Sequence, residues 1–372
     1  MNTDSLQILA FPTDYGGCGQ YRIRQPFEMI TKYTNHEAHV VDETKLKDES
    51  YLRGIVYAIE SSDLIVARPM GSKNDIPAMV MIRQNPEFAT KKIVMDLDDN
   101  PEMVSPYSAH YMDFGVEEIY DRNLGKWLWK DGEEGFDLEK NRSKLKNMIG
   151  DFKRADMITV TTEKLAEYAR QYNKNVAVLP NCINPYKWWQ LPLKPNKKLR
   201  IALQGGYSHY EDWEMIREPL NQMLRDNDVT LLMVGYDFSG IIDKDVRHKV
   251  EAHDWVHFEA HSYRMMCLNI DIAIIPLDDT PFNHYKSSIK LCEFSAMGVP
   301  SIVSNVSPYK EEAGRIPACY FTKETFKQHL ETLIEDEKLR RNIGNQAREA
   351  VLELYDAKKN AKLWTEAYAS LN

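Results

Sequence analysis

Twice along this chain, short runs rich in Val, Ile and Leu alternate with longer segments of helical period, and this doubled series restricts the fold more than any other feature. An apolar run, an amphipathic stretch and a second apolar run make a βαβ unit, whose strands lie parallel and buried on both faces. The first half supplies such runs at 6–12, 38–42, 64–69, 92–99, 157–162 and 176–181. The second half supplies them at 199–206, 229–236, 256–260, 271–277, 300–304 and 318–321. Between the two series, QLPLKPNKKLR (190–200) gathers prolines and lysines without periodicity, as linkers do. The pattern predicts an α/β protein of two Rossmann-like, doubly wound domains facing across a cleft, at 1–190 and 199–355. The last segment, 356–372, is predicted to be a helix that returns to the N-terminal domain. A length of 372 residues suits two cores rather than one.

A formal charge of −9 argues against coating nucleic acid by bulk electrostatics, although it leaves room for a local basic groove. Cys18, Cys182, Cys267, Cys292 and Cys319 are scattered without zinc spacing, which predicts buried thiols in a reducing compartment and no metal. No apolar run approaches the roughly 18 residues of a membrane span. The opening stretch reads as a strand rather than a secretion signal, so a soluble, cytoplasmic protein is expected.

In open parallel sheets ligands bind beyond the carboxyl ends of the strands, and the chemistry-bearing stretches fall there. After the first run, TDYGGCGQYRIRQPF places Gly16, Gly17 and Gly19 ahead of a helix carrying Arg22 and Arg24. Glycines admit a ligand to the backbone, and a helix N-terminus offers N–H groups to a diphosphate; turn geometry alone also calls for glycine. In the second half, LQGGYSHYEDW repeats the arrangement with Gly205, Gly206, Ser208 and His209, the last two also suiting an N-cap before Glu211 and Asp212. KSSIKLCEFSAMGVPSIVS then spaces Lys286 and Lys290 four apart around Ser287 and Ser288. That spacing predicts one helical face turned to an anion. Glu293, one turn on, is placed to accept from two ribose hydroxyls. A solvated ladder of charges is the alternative, but Leu291, Phe294, Ala296 and Met297 make the surroundings apolar.

IKLCEFSAMGVPSIVS resembles the E-x-x-A-x-G-x-P-V-V signature of nucleotide-sugar glycosyltransferases of the GT-B fold, particularly the family 4 type. GGCGQYRIRQP, GGYSHYEDW and VLPNCINPYKW look like the same family, so the resemblance spans most of the chain. It implies that a sugar moves, with retention, from a nucleoside-diphosphate sugar such as a UDP-sugar, held by the second domain, to an acceptor hydroxyl on the first. Carried over, Glu293 binds the donor ribose, Gly17 approaches the diphosphate and sugar, and Lys286 or Lys290 neutralises phosphate. The loops at Gly235–Tyr236 and Ala260–His261 would flank the base. One departure stands out: the earlier acid of the family's E-x(7)-E pair falls on Tyr285. Enzymes of this fold need no metal, because cations and oriented N–H groups take up the charge of the departing diphosphate. No cofactor beyond the co-substrate is therefore expected.

The segment DLDD competes with that conclusion, since Asp96-x-Asp98 is a D-x-D of the kind that holds Mg or Mn in single-domain GT-A enzymes. A second Rossmann-like half has no place in that architecture. Asp98 and Asp99 are accordingly read as positioning the acceptor or acting as base, with helix capping as the plainer role. His110 is a candidate sugar contact or a surface histidine. For the acceptor, DLDD and GGCGQYRIRQP look like compact bacteriophage glycosyltransferases, some of which modify hydroxymethylated bases in DNA. That likeness implies a flipped DNA base as acceptor and Arg122, Lys126, Lys130 and Arg142 as phosphate contacts, with a glycan or lipid as the other choice. Rival readings are a nucleotide-sugar 2-epimerase on the same fold and a two-lobed sugar-nucleotide binding protein.

Overall fold

A computed structural model describes residues 5–12, 14–68, 85, 86, 88–122, 124–189 and 195–371. Part of the expected linker, 190–194, and Pro69 at the end of the third run lie outside them. The chain divides into two compact units: residues 1–106, 110–181 and 357–372, and residues 107–109 and 182–356.

The first unit is built on β1 (Gln7–Phe11), β2 (Glu37–Val40), β3 (Leu64–Ala67) and β4 (Lys92–Leu97). A small antiparallel hairpin follows, β5 (Ile119–Asp121) and β6 (Lys126–Trp129), and then β7 (Met157–Val160) and β8 (Val176–Val178). The main sheet is parallel throughout, in the order β2-β1-β3-β4-β7-β8. The second unit carries β9 (Arg200–Gly205), β10 (Thr230–Gly235), β11 (Val250–Asp254), β12 (Ile272–Ile275), β13 (Ser301–Ser304) and β14 (Cys319–Phe321). Its parallel order is β11-β10-β9-β12-β13-β14. The two doubly wound sheets anticipated from the alternating runs are both present. Central strands such as β3, β7, β12 and β13 are buried at every position, which is why they read as unbroken apolar runs.

The strand order reverses between β1 and β3 in one sheet and between β9 and β12 in the other. Crossovers on either side of such a point leave opposite faces of the sheet, so a crevice opens at the carboxyl ends of those two strands. Whatever follows Phe11, Ala67, Gly205 and Ile275 is therefore where ligand chemistry belongs.

The structure departs from the sequence reading in three places, and the first has a local cause. The run at 256–260 is not a strand: the strand is Val250–Asp254, and residues from Phe258 to Cys267 form a helix. As an edge strand paired only to β10, VEAHD is largely exposed and carries no apolar run to mark it. The hairpin β5–β6 was also not anticipated. Of the cysteines, Cys182 and Cys292 are buried and Cys319 half-buried, but Cys18 and Cys267 are exposed, so the expected burial of all five does not hold.

The C-terminal helix Ala357–Ala369 belongs to the first unit and lies against the helix Gln25–Tyr33, with Phe27 edge-on to Trp364 at 6.2 Å and stacked with Tyr368 at 6.1 Å. Trp364 and Tyr368 join Ile8, Ile23 and Phe27 in the core beneath β1.

Gly235 ends β10 at φ +111°, and a Cβ there would lie 2.5 Å from the Gly205 carbonyl oxygen. Gly235→Ala is expected to cost about 3 kcal/mol, from backbone strain and the displacement of Gly205. The denaturant midpoint should fall at an unchanged m-value.

Candidate active site

In the second unit, β9 and β10 pair Gly205 with Gly235, and β10 and β11 pair Gly235 with Asp254, so the three strands end side by side. Beyond β9 the chain turns through Gly206 and a short 3-10 segment, Tyr207–His209, into the helix Tyr210–Glu214. A Cβ on Gly205 would stand 2.9 Å from the His209 ring, so glycine there makes the seat for that imidazole.

His209 Nδ1 lies 2.6 Å from Asp212 Oδ2, and Lys290 Nζ lies 2.8 Å from His209 Nε2. The other Asp212 oxygen accepts from the Asp278 backbone N–H at 2.8 Å and from the Asn283 amide at 3.1 Å. Residues following β9 and β12 are thereby tied together at the point where the strand order reverses. Burial, then the charges of Lys290 and Lys286, hold His209 down at about 3. Burial lowers Lys290 to about 7, helped by Lys286 and opposed by Asp212 and Glu293. For Asp212 burial works upward and is the largest single effect, but the hydrogen bond to His209, the charge of Lys286 and the Asp278 N–H together outweigh it and keep the carboxyl below its usual range.

Glu293 stands one turn beyond Lys290 on the helix Ile289–Ala296, its side chain 4% exposed. Gln204 donates Nε2 to Glu293 Oε2 at 3.0 Å, and the same nitrogen lies 3.1 Å from His261 Nε2. His261 is not in a base-flanking loop as expected: Ala260 and His261 lie within the helix Phe258–Cys267, and the imidazole is buried edge-on to Trp188. Lys286 and Lys290 do not share a helix face either. Lys286 is extended, ahead of the helix, with its ammonium 5.0 Å from the Phe282 ring, yet close enough to act on Lys290 and His209 through its charge. Ser288 occupies the N-cap position but makes no capping bond, its hydroxyl donating instead to Glu312 at 2.8 Å. Ser208 and Ser287, next in sequence to His209 and Lys286, are half-buried.

Tyr236 is 46% exposed and leans on Phe238 with ring centroids 4.7 Å apart. Trp255, immediately after β11, is 61% exposed, and its ring lies 3.3 Å from where a Cβ of Gly206 would stand. Trp255 and Gln204 were not singled out from sequence, and Asp212 was read only as the acidic start of a helix. The i, i+3 spacing of His209 and Asp212 was the signal available for the last of these.

In the first unit several expectations are overturned. Arg22, expected at a diphosphate, is wholly buried: Nε and Nη2 donate to Asp96 at 3.0 and 2.6 Å, and Nη1 donates to the Leu179 carbonyl at 2.5 Å and to Asn181. Its guanidinium also lies 4.9 Å from the Trp364 ring. Asp96 further accepts from Thr159 at 2.7 Å, so this half of the D-x-D is occupied by structure. Gly16, expected to admit a ligand to the backbone, donates its N–H to Asp14 Oδ1 at 2.7 Å, as Gly19 does at 3.0 Å. Gly17 opens the following turn and is exposed. Sterics demand glycine at Gly19, since a Cβ there would lie 2.0 Å from the Asp14 carbonyl oxygen.

Asp98 is ion-paired to Arg68, a residue not singled out from sequence, which is 8% exposed and also faces Asp14 at 3.9 Å. Burial works against the Arg68 charge, and Asp98 foremost more than offsets it. Acting as a base would require Asp98 to give up this pair. Asp99 is half-buried, and His110 is exposed at the N-cap position of the one-turn helix Tyr111–Phe114. Among the described residues no group of three or more His, Cys, Asp or Glu is arranged to hold a metal, and no helix is long and apolar enough to cross a membrane.

No protein-family model and no curated protein matches the sequence. Solved structures do match in fold. A sucrose-phosphate synthase from Thermosynechococcus elongatus aligns over 98% of this chain and 99% of its own, with a TM-score of 0.64 at 14% identity. The Anabaena protein HepE in complex with UDP aligns over 98% and 100%, with a TM-score of 0.61 at 13% identity. An alpha-glucosyltransferase in complex with UDP and a 13-mer DNA containing a central A:G mismatch aligns over 100% of both chains, with a TM-score of 0.62 at 11% identity. Two parallel, doubly wound sheets in tandem and alignments that run from end to end give this chain the fold of the GT-B glycosyltransferases.

Proposed function

We propose that the protein is a glycosyltransferase that moves a sugar from a nucleoside-diphosphate sugar, a UDP-sugar first among them, to an acceptor hydroxyl with retention of configuration. The donor is assigned to the second unit and the acceptor to the first. The observation that carries this reading is the array at the strand reversal of the second sheet, where Lys290, His209 and Asp212 are linked at 2.8 and 2.6 Å. A glycosyl phosphate bond breaks with negative charge growing on the departing diphosphate. A cation fixed in place beforehand lowers that barrier without reorganising. Lys290 is that cation, and Lys286 adds its charge from the preceding segment. Glu293, its rotamer set by Gln204 and faced by His261, is assigned to the ribose hydroxyls. Trp255 and Tyr236, exposed at the ends of neighbouring strands, are assigned to the base.

Melting the protein with UDP, GDP, ADP and dTDP tests the donor site. A ligand at 100 times its Kd should stabilise the fold by about 2.7 kcal/mol. No shift with any of them removes the reading. Stacking is worth roughly 1–3 kcal/mol per base, so Trp255→Ala is expected to weaken nucleotide binding about tenfold without lowering the melting temperature. An unchanged Kd would take Trp255 out of the base site.

A modified DNA base is the acceptor we favour. The supporting likeness is the neighbour in complex with UDP and DNA, together with a cavity of about 680 Å³ on the first unit bordered by Arg142, Lys146, Lys153 and Arg154; of the phosphate contacts expected from sequence, Arg142 borders it, Arg122 and Lys126 do not, and Lys130 is paired with Glu133 instead. Duplex binding by such a surface should weaken steeply with salt. Absence of duplex binding at low salt would turn the reading to a glycan or lipid hydroxyl.

A further inference from the structure

Asp212 is a carboxylate and can only accept, so the imidazole proton lies on Nδ1, 2.6 Å from it, and the lone pair on Nε2 receives an N–H of Lys290 at 2.8 Å. Asp212 is itself fixed by the Asp278 N–H and the Asn283 amide. Residues from the turn after β9, the loop after β12 and the helix bearing Lys290 thus converge on one ammonium nitrogen. Nothing in the charge-neutralising role assigned to Lys290 calls for an imidazole at that place.

We propose that His209 is a positioning residue: braced by Asp212, its Nε2 holds the Lys290 amino group at the carboxyl end of β9 until a phosphate oxygen of the donor takes it over. This rests on the nucleotide-sugar reading above. The groups facing Lys290 are His209, Asp212 from the helix Tyr210–Glu214, Lys286 from the segment before its own helix, and Glu293 from the next turn. Tyr309, also buried, lies beside Asp212 and Glu293. Of the two nearest partners, only His209 touches Lys290 directly, and it does so as a neutral base.

A neutral acceptor holds a proton on lysine less firmly than a phosphate does. With Lys290 near 7 in the free protein, an arriving diphosphate draws one proton from solvent onto the amine, and the resulting ammonium pairs with the phosphate oxygen. The sign is fixed by that uptake. Affinity is greatest below pH 7 and weakens up to tenfold per pH unit above it, until the pH passes the value Lys290 has in the complex.

The test is calorimetric titration of UDP into the wild-type protein, His209→Ala and His209→Gln between pH 6 and 9, in two buffers of different ionisation enthalpy. Wild type should take up close to one proton at pH 8. His209→Ala, which lets water reach the amine, should lose that uptake, flatten the pH profile and bind about tenfold more weakly at pH 6.5. His209→Gln returns an acceptor near the Nε2 position and should recover to within about threefold. Identical profiles for wild type and His209→Ala overturn the role of His209 while leaving the nucleotide reading intact. Failure of wild type to bind UDP at any pH overturns both. If His209→Ala does not fold, His209→Asn, whose shorter amide does not reach Lys290, takes its place in the same titrations: loss of the proton uptake with a Kd about tenfold weaker at pH 6.5 supports the role of His209, and a wild-type profile overturns it.

Discussion

Lys290→Ala is expected to lower turnover of a UDP-sugar by about 10²–10³-fold while the protein melts within a few degrees of wild type. The size follows from where the charge appears. In the bound donor the diphosphate already carries its formal charge, but one oxygen gains more as the sugar leaves, and a cation beside it stabilises that gain more than the ground state. The loss should therefore fall mainly on kcat rather than on KM. The melting temperature should hold, because the wild-type protein bears the cost of half-burying an amine that burial already pulls down to about 7. Lys290→Arg should rescue little, since a planar fork does not fit the place of a compact ammonium held by one imidazole nitrogen. Steady-state kinetics checks this, and a fall of less than about threefold would mean that the leaving group is served from elsewhere.

The second large effect is on stability rather than on chemistry. Arg22→Ala is expected to destabilise the protein by about 3–5 kcal/mol, because it strips the partner from a carboxylate with no exposed surface. Asp96, Thr159, the Leu179 carbonyl and the Trp364 ring all lose a contact at once. Replacing both charges, as in Arg22→Met with Asp96→Leu, should recover part of the loss, which removal of a ligand contact would not do. Chemical denaturation measures both. If Arg22→Ala melts like wild type and instead raises the donor KM, the diphosphate role expected from sequence returns in place of the structural one.

Much of the architecture was legible because burial of a parallel strand is written locally. LIVA, MITV, IAII and SIVS need no knowledge of their neighbours to be recognised as strands buried on both faces. VEAHD failed for the same reason in reverse: an edge strand shows water most of its residues and has no apolar signature. The motif around Glu293 was found as a motif, yet the helix starts only at Ile289, so the spacing of Lys286 and Lys290 was taken for a shared face that does not exist. With Arg22 the error was one of direction. The residues Gln20–Arg24 form a π-helical turn, and a wider turn rotates every side chain in it away from where a 3.6-residue count puts it. Arg22 follows a glycine-rich turn, as a phosphate ligand would, but points into the core.

The order of runs and breakers along this chain determined two doubly wound sheets, where each turns, and which loops stand at the carboxyl ends of the strands. Only the folded chain decided which charges are available there and which are spent. Arg22 meets Asp96 across 74 residues, Gln204 meets Glu293 across 89, and Lys290 meets His209 across 81. Hydrophobic periodicity is a property of neighbours in sequence and survives being read in one dimension. The partner of a buried charge is chosen by how strands cross over, and that choice exists only once the sheet is assembled.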